Sequence, residues 1–316
     1  MADLPLAQPG EIPDITAKLP ELLPELRRIT RSGWVQVVGV VLVALAVILA
    51  VQGLEEDGAL GWSFAAGFIG FLGIGAIAAR TRRRHQAEIM PLLAGAAGLT
   101  YTQDAMNFLT EFPERMLPQN LVRRCEDEIS GKIGDRDIRF AEAKIETGGK
   151  NSRTMFKGVV VEFQNVAPMP AFFVASEAQT RGWFIFKGNI RVDDLVWLRG
   201  ATGVSKVNYG VWGASEEAEK HPAFTQILNA ILDLEGNVGG DLKLYTATSD
   251  GAKTWLALSH GRDLFRIGGL FANKDRVVVD IQRAYDDLTL PMRIVSALLA
   301  AEAKAAKLLP KALTPA

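Results

Sequence analysis

Nucleophilic, acid–base and metal chemistry each require particular side chains brought close together, and this sequence offers few of them. Cys125 is the single cysteine. A thiolate nucleophile needs a neighbouring base or cation to form. The flanking Arg124, Glu126 and Asp127 fit an ordinary surface position equally well, so Cys125 reads as a bystander. The histidines, His85, His221 and His260, lie far apart and form no HxxxH or HExxH pair. His260 and Asp263, three residues apart after a predicted hairpin, allow an acid–base pair and are the weak catalytic candidates. A helix cap by Asp263 is the competing role. Asp135 with Asp137, and Asp193 with Asp194, carry donors for a cation, but aspartates in such turn-like settings usually satisfy backbone N–H groups. Walker, GxSxG and dinucleotide fingerprints are absent, and Gly200-Ala201-Thr202-Gly203 is a lone glycine pair. The sequence therefore predicts no metal centre and no cofactor, and favours a binding protein over an enzyme.

The elements that would position any site begin with the membrane. The chain has 316 residues, 48% hydrophobic and 22% charged, with a net charge of −1. These averages exclude a disordered chain, a disulfide scaffold and a polybasic nucleic-acid binder, and no nucleic-acid partner is expected. They also conceal a split. Residues 34–54 and 59–79 contain no charged side chain. At about 1.5 Å per residue each run reaches roughly 31 Å, enough for a hydrocarbon core of about 30 Å. They predict a transmembrane α-helical hairpin, helix 1 over 34–54 and helix 2 over 59–79, joined by an extracytoplasmic loop at 55–58. The first run lies too far along the chain, and is followed too soon by the second, to be a signal peptide.

Arg27, Arg28 and Arg31 precede the hairpin, Arg80, Arg82, Arg83 and Arg84 follow it, and the loop holds Glu55, Glu56 and Asp57. The positive-inside rule then predicts a two-pass protein with both termini cytoplasmic. The predicted membrane-interface residues are Trp34, Trp62, Arg80, Arg82, Arg83 and Arg84. The arginines read as topology signals and contacts for anionic lipid. Gly67, Gly70 and Gly73 form a small-residue face for helix packing. Its partner is either the other helix of the same chain or a further copy or membrane protein. With no ionisable residue inside either run, transport is disfavoured.

The remaining segments are a Pro-rich cytoplasmic stretch (1–33), a basic juxtamembrane region with a linker helix (80–100), a cytoplasmic α+β domain (101–290) and an Ala/Lys-rich tail (291–316) split off at Pro291. Residues 1–33 read as a loose tail with a short amphipathic piece around Leu22, Leu23, Leu26 and Ile29. Helix is predicted in part of 106–124. A hairpin is predicted with strands 129–133 and 138–145 about Gly134–Asp137, and further strands at 156–163, 172–175, 183–186 and 204–212. Ser215 is placed to cap a helix carrying Phe224, Ile227, Leu228, Ile231 and Leu232 on one stripe. Segments 242–247 and 254–258 flank Ser249-Asp250-Gly251 as a second hairpin, and a last helix covers 274–288. Hairpin-linked strands with helices outside them predict an α+β fold with a mainly antiparallel sheet.

The order of short motifs carries a resemblance. Paired spans and a basic patch precede Gly98-Leu99-Thr100-Tyr101. Asp127 to Gly134 reads Asp-Glu-Ile-Ser-Gly-Lys-Ile-Gly and runs into Phe140-Ala141-Glu142-Ala143. Phe156-Lys157-Gly158, Tyr209 to Gly213, and Asp263-Leu264-Phe265 follow. Over residues 86–290 the chain resembles the bacterial membrane-protein family called domain of unknown function 3137. That resemblance implies a bacterial inner-membrane location and one cytoplasmic domain, and carries over no catalytic residue. Together these readings predict a membrane-anchored interaction or scaffold module. Its partners would be the lipid bilayer and another membrane-proximal protein or itself. A tethered hydrolase using His260, and an oligomeric envelope or lipid-related protein, are the alternatives.

Overall fold

The computed structural model describes residues 19–52, 59–118, 121–134, 136–165, 170–176, 192, 194–198, 209–221, 224–234, 242–262, 264–267 and 274–306. Among them, five α-helices are α1 (Leu19–Gln52), α2 (Ala59–Ala96), α3 (Met106–Glu111), α4 (Phe224–Leu232) and α5 (Lys274–Ala306). The strands are β1 (Leu99–Asp104), β2 (Val122–Ile133), β3 (Arg136–Glu146), β4 (Thr154–Gln164), β5 (Phe172–Ser176), β6 (Val196–Trp197), β7 (Tyr209–Gly213), β8 (Lys243–Ser249) and β9 (Lys253–Ser259). Two compact units emerge: one contains Ala94–Asp263 and Leu288–Ala316, the other Pro13–Leu93 and Leu264–Asp287.

In the first unit all nine described strands join one antiparallel sheet in the order β1-β2-β3-β4-β9-β8-β5-β7-β6. The expected α+β class with a large antiparallel sheet and flanking helices is what forms. Alternate residues on a strand face opposite sides, yet Val159, Val160 and Val161 on β4 are all fully buried. Both faces of the sheet centre are therefore covered.

On one face small residues lie in cross-strand rows, Cys125–Ala143–Gly158 and Ala141–Val160–Ala257. Phe108 and Leu109 of α3, with Phe112, Met116 and Leu117 beyond it, share a core with these rows. Thr246 on β8 donates to the Met116 carbonyl at 2.8 Å, tying the α3 segment to the sheet. The β8–β9 turn is held to β4 by buried Asn165, which donates to Ser249 Oγ (3.2 Å) and the Gly251 carbonyl (3.0 Å) and accepts from Thr254 (2.8 Å).

Several sequence expectations are corrected. The amphipathic piece expected around Leu22, Leu23, Leu26 and Ile29 is the start of α1 itself, which begins at Leu19. Pro24 lies inside it, past the four unpaired N–H groups of the first turn, so the helix forgoes one backbone bond there. Residue 99 onward forms β1 rather than a linker. Helix in 106–124 is partial, as expected, with α3 and a short 3-10 turn at Glu114–Met116 separated at Pro113; the difference is that Val122–Arg124 pair with β3. Ser215 makes no capping hydrogen bond. Glu216–Lys220 form a 3-10 turn and α4 starts separately at Phe224, because His221 precedes a proline and is extended. Pro291 does not end the last helix. Leu288, Leu290, Ile294, Val295 and Leu298 are buried on both sides of it, and their burial offsets one missing hydrogen bond.

Among the described residues no helix is long and apolar enough to cross a membrane. Side chains are described continuously for 34–49 of the first apolar run and 67–79 of the second. The remaining ends of both runs, the side chain of Trp62, the loop 55–58, the expected strand 183–186 and residues 204–208 of the expected strand 204–212 lie outside the described residues.

Gly158 is where the sheet allows no side chain. A Cβ there would lie 2.0 Å from the Leu258 carbonyl oxygen and 2.8 Å from Ser259 Cα. Both obstacles are backbone, so they cannot swing aside. Gly158→Ala should cost about 1–3 kcal/mol, read as a lower denaturation midpoint of the full chain in detergent. An unchanged midpoint would show that β4 and β9 can separate freely.

Candidate membrane interface

The helical unit is organised by a close contact between α1 and α2. A Cβ built on Gly70 would lie 3.1 Å from Ala44 Cβ, and one on Gly73 would lie 3.2 Å from Val40 Cγ1. Advancing three residues on α2 thus retreats four on α1, which makes the helices antiparallel neighbours. The predicted small-residue face is divided by this geometry. Gly70 and Gly73 meet α1, whereas nothing described lies within 4 Å of a Cβ at Gly67.

Each helix keeps one inward stripe. On α1 it is Val37, Val40, Ala44 and Ile48, all buried or half-buried at spacings of three and four. On α2 it is Gly70, Ile74, Ile77, Thr81, His85 and Ile89. The outward sides differ from those of a soluble helix pair. Val35 is 67% exposed, Leu42 59% and Val43 65%, and on α2 Ile69 is 68% and Phe71 73% exposed. Such a run of large apolar side chains on an outer surface marks a surface made to be covered.

The outward side of α2 then changes character along its length. From Arg80 to His85 its exposed positions are Arg80, Arg83 and Arg84, while Arg82 is half-buried and Thr81 and His85 stay buried on the inward stripe. Trp34, 43% exposed, stands six residues from Val40, and Arg80 stands seven from Gly73. Trp34 and Arg80 therefore lie at one height on neighbouring helices.

The other candidates do not assemble. His260 is buried, and its N–H donates to the Lys157 carbonyl at 3.0 Å. Asp263 lies outside the described residues, so the predicted His260–Asp263 pair is not described. Asp137 pairs with Lys132 at 2.9 Å and Asp194 with Arg115 at 2.8 Å, while Asp135 and Asp193 lie outside the described residues. No group of three metal-ligating side chains occurs among the described residues. A shallow cleft of about 410 Å³ opens between Pro170-Ala171 and the 214–221 segment. Its polar lining residues are Ser215, Glu217, Lys220 and His221, without His260.

Two polar arrangements carry no sequence signal. Asp127 sits at a bulge in β2 with φ +63, in the left-handed region, and accepts a hydrogen bond from the Tyr101 hydroxyl. Burial first, and the Asp127 carboxylate second, push that hydroxyl far above the ordinary tyrosine range. Arg139 donates to Glu128 at 2.8 Å and to Glu111, with its guanidinium 4.5 Å from the centre of the Phe108 ring. That constellation pins α3 to β2 and β3.

Cys125 is buried rather than on the surface, because β2 turns it into the α3 core. Burial, followed by Glu128, Glu126 and Asp127, pushes its thiol up to about 12. A protonated, enclosed thiol is a poor nucleophile.

No family model matches the chain, and no curated protein matches it. Among solved structures it is similar to the crystal structure of the mycobacterial trehalose monomycolate transport factor A, at 12% identity, over 66% of this chain and 96% of that one, with a TM-score of 0.33. A likeness of that size transfers neither an activity nor a ligand to this chain.

The thiol's displacement makes a signed prediction. A folded-state value raised from 9.0 to about 12 contributes stability that is complete below pH 9 and is lost as pH rises towards 12. Cys125→Ala should therefore flatten the fall in denaturation midpoint between pH 9 and 12. An identical alkaline slope in both proteins would show that the thiol does not ionise from a buried site.

Proposed function

We propose that this chain is a membrane-anchored interaction protein of the bacterial inner membrane. In this reading α1 and α2 cross the bilayer as a hairpin with both termini cytoplasmic, and the α+β domain faces a protein partner at the inner leaflet. One observation supports the anchor above all. Two antiparallel helices in close contact both carry large exposed apolar side chains, and both give way to arginine-bearing segments at one height. A soluble helix pair would gain nothing from holding Val35, Leu42, Ile69 and Phe71 outward in water, at about 25 cal/mol for each Å² left exposed. In hydrocarbon the same side chains are solvated, and small residues rather than large ones bring the helices together.

The bacterial location rests on the motif resemblance of residues 86–290. The interaction role rests on the domain's chemistry. Its buried polar groups are spent on pinning α3 and the β8–β9 turn, which suits a rigid recognition surface. The hydrolase alternative gains nothing from the cleft at 214–221, since His260 is not among its lining residues.

Fractionation of cells producing the full chain tests the anchor. The protein should sediment with membranes and stay there through alkaline carbonate and urea washes, which strip peripheral proteins, and dissolve in detergent. Release by carbonate would contradict a spanning hairpin. Crosslinking in the same membranes should capture a reproducible partner through the α+β domain, and none appearing would remove the interaction role.

A further inference from the structure

We infer that the basic end of the α1–α2 pair is a binding surface selective for the phosphate of anionic phospholipid headgroups. This deepens the membrane reading above and rests on it. The Gly70–Ala44 and Gly73–Val40 contacts fix the register of the two helices. Counting from them, Arg31 and Arg28 stand nine and twelve residues beyond Val40, and Arg82, Arg83 and Arg84 stand nine, ten and eleven beyond Gly73. At about 1.5 Å per residue, these positions lie in a layer roughly 13–18 Å from that contact, and Arg80, seven beyond Gly73, borders it at roughly 10 Å. Half the thickness of a hydrocarbon core is about 15 Å. The layer therefore meets the depth of the headgroup phosphates if the contact lies near mid-membrane.

The layer is also rigid. α2 continues without interruption from Ala59 to Ala96, and its inward stripe stays buried through Thr81, His85 and Ile89. Arg80, Arg83 and Arg84 are thereby held on the exposed side of a packed helix rather than on a frayed end. Their spacing of three and four residues places like charges side by side, which destabilises an isolated helix. Among the described residues none forms a hydrogen bond or ion pair with these three arginines. Exposed Arg28 of α1 adds charge at the same height. The guanidinium groups of Arg80, Arg83 and Arg84 match phosphate oxygens, each fork being able to donate two bonds to one phosphate. Trp34 at the edge of the layer suits the boundary between acyl chains and headgroups.

Spin-labelled lipids test this on the full chain in phosphatidylcholine vesicles, reading the fraction of each lipid slowed at the protein surface. Phosphatidylglycerol should be slowed in preference to phosphatidylcholine by about threefold. The preference should shrink towards unity in the combined Arg80→Gln, Arg83→Gln, Arg84→Gln variant. In the unaltered protein, which needs no variant to fold, rising sodium chloride should reduce it because the layer is exposed. Equal slowing of the two lipids, or a preference untouched by the variant and by salt, would overturn the inference. Sodium phosphate at matched ionic strength should act no more strongly than chloride. A stronger effect would assign the arginines to free phosphate instead and also overturn it. Absence of any slowed component with either lipid would instead remove the membrane reading itself.

Discussion

The contact of Gly70 and Gly73 with Ala44 and Val40 is the constraint on which the helical unit depends. A Cβ at Gly70 already falls tighter than ordinary packing against Ala44, so any larger side chain would push the helices apart. With glycine there, the two backbones approach closely, and bulk can only be accommodated on the outside. Phe68, Ile69, Phe71 and Leu72 consequently face outward, as do Val35, Leu42 and Val43 on α1. The same contact sets the register, which brings Trp34 level with Arg80. An apolar outer surface bounded by a charged layer thus follows from two missing side chains.

The sheet unit uses smallness differently. Ala141, Ala143, Gly158 and Ala257 sit beneath α3, where larger residues would hold the helix off the sheet. Gly158 additionally lets the β9 backbone pass at a distance no Cβ could tolerate. Where the sheet carries charge inward it neutralises it locally. Glu162 accepts from Lys253 at 2.7 Å and from the Trp255 indole at 2.8 Å, and Arg139 is bracketed by Glu111 and Glu128. Buried charges stay affordable only when so paired. These groups are committed to holding elements together, which leaves the domain a rigid platform.

Much of this was legible in the residues. The apolar run of β4, the Gly134 and Gly251 turns, and the apolar stripe of α4 are local signals, and the corresponding elements form close to their expected places. The misses have tertiary causes. β1, a short run after the turn at Gly98, pairs along β2, which offers it an edge. Pro291 reads as a stop, but buried neighbours on both sides carry the helix through it. Cys125 sits among charged neighbours that alternate to the other side of β2, so its burial depends on α3 arriving over that face. At the candidate interface, the arginines, Trp34 and the small-residue pattern were readable from sequence. Which glycines meet α1 was not, because that choice belongs to the packed pair.

The central claim, that the outer surface of α1 and α2 lies in hydrocarbon, is tested most directly by spin-label accessibility. Single cysteines would be placed along the outer side of α1, from Val35 through Leu42 to Leu49, in a Cys125→Ala background of the full chain in vesicles. The account predicts that oxygen accessibility rises and accessibility to a water-soluble nickel complex falls from Val35 towards the middle of the run. High nickel accessibility throughout would place this surface in water and contradict the account.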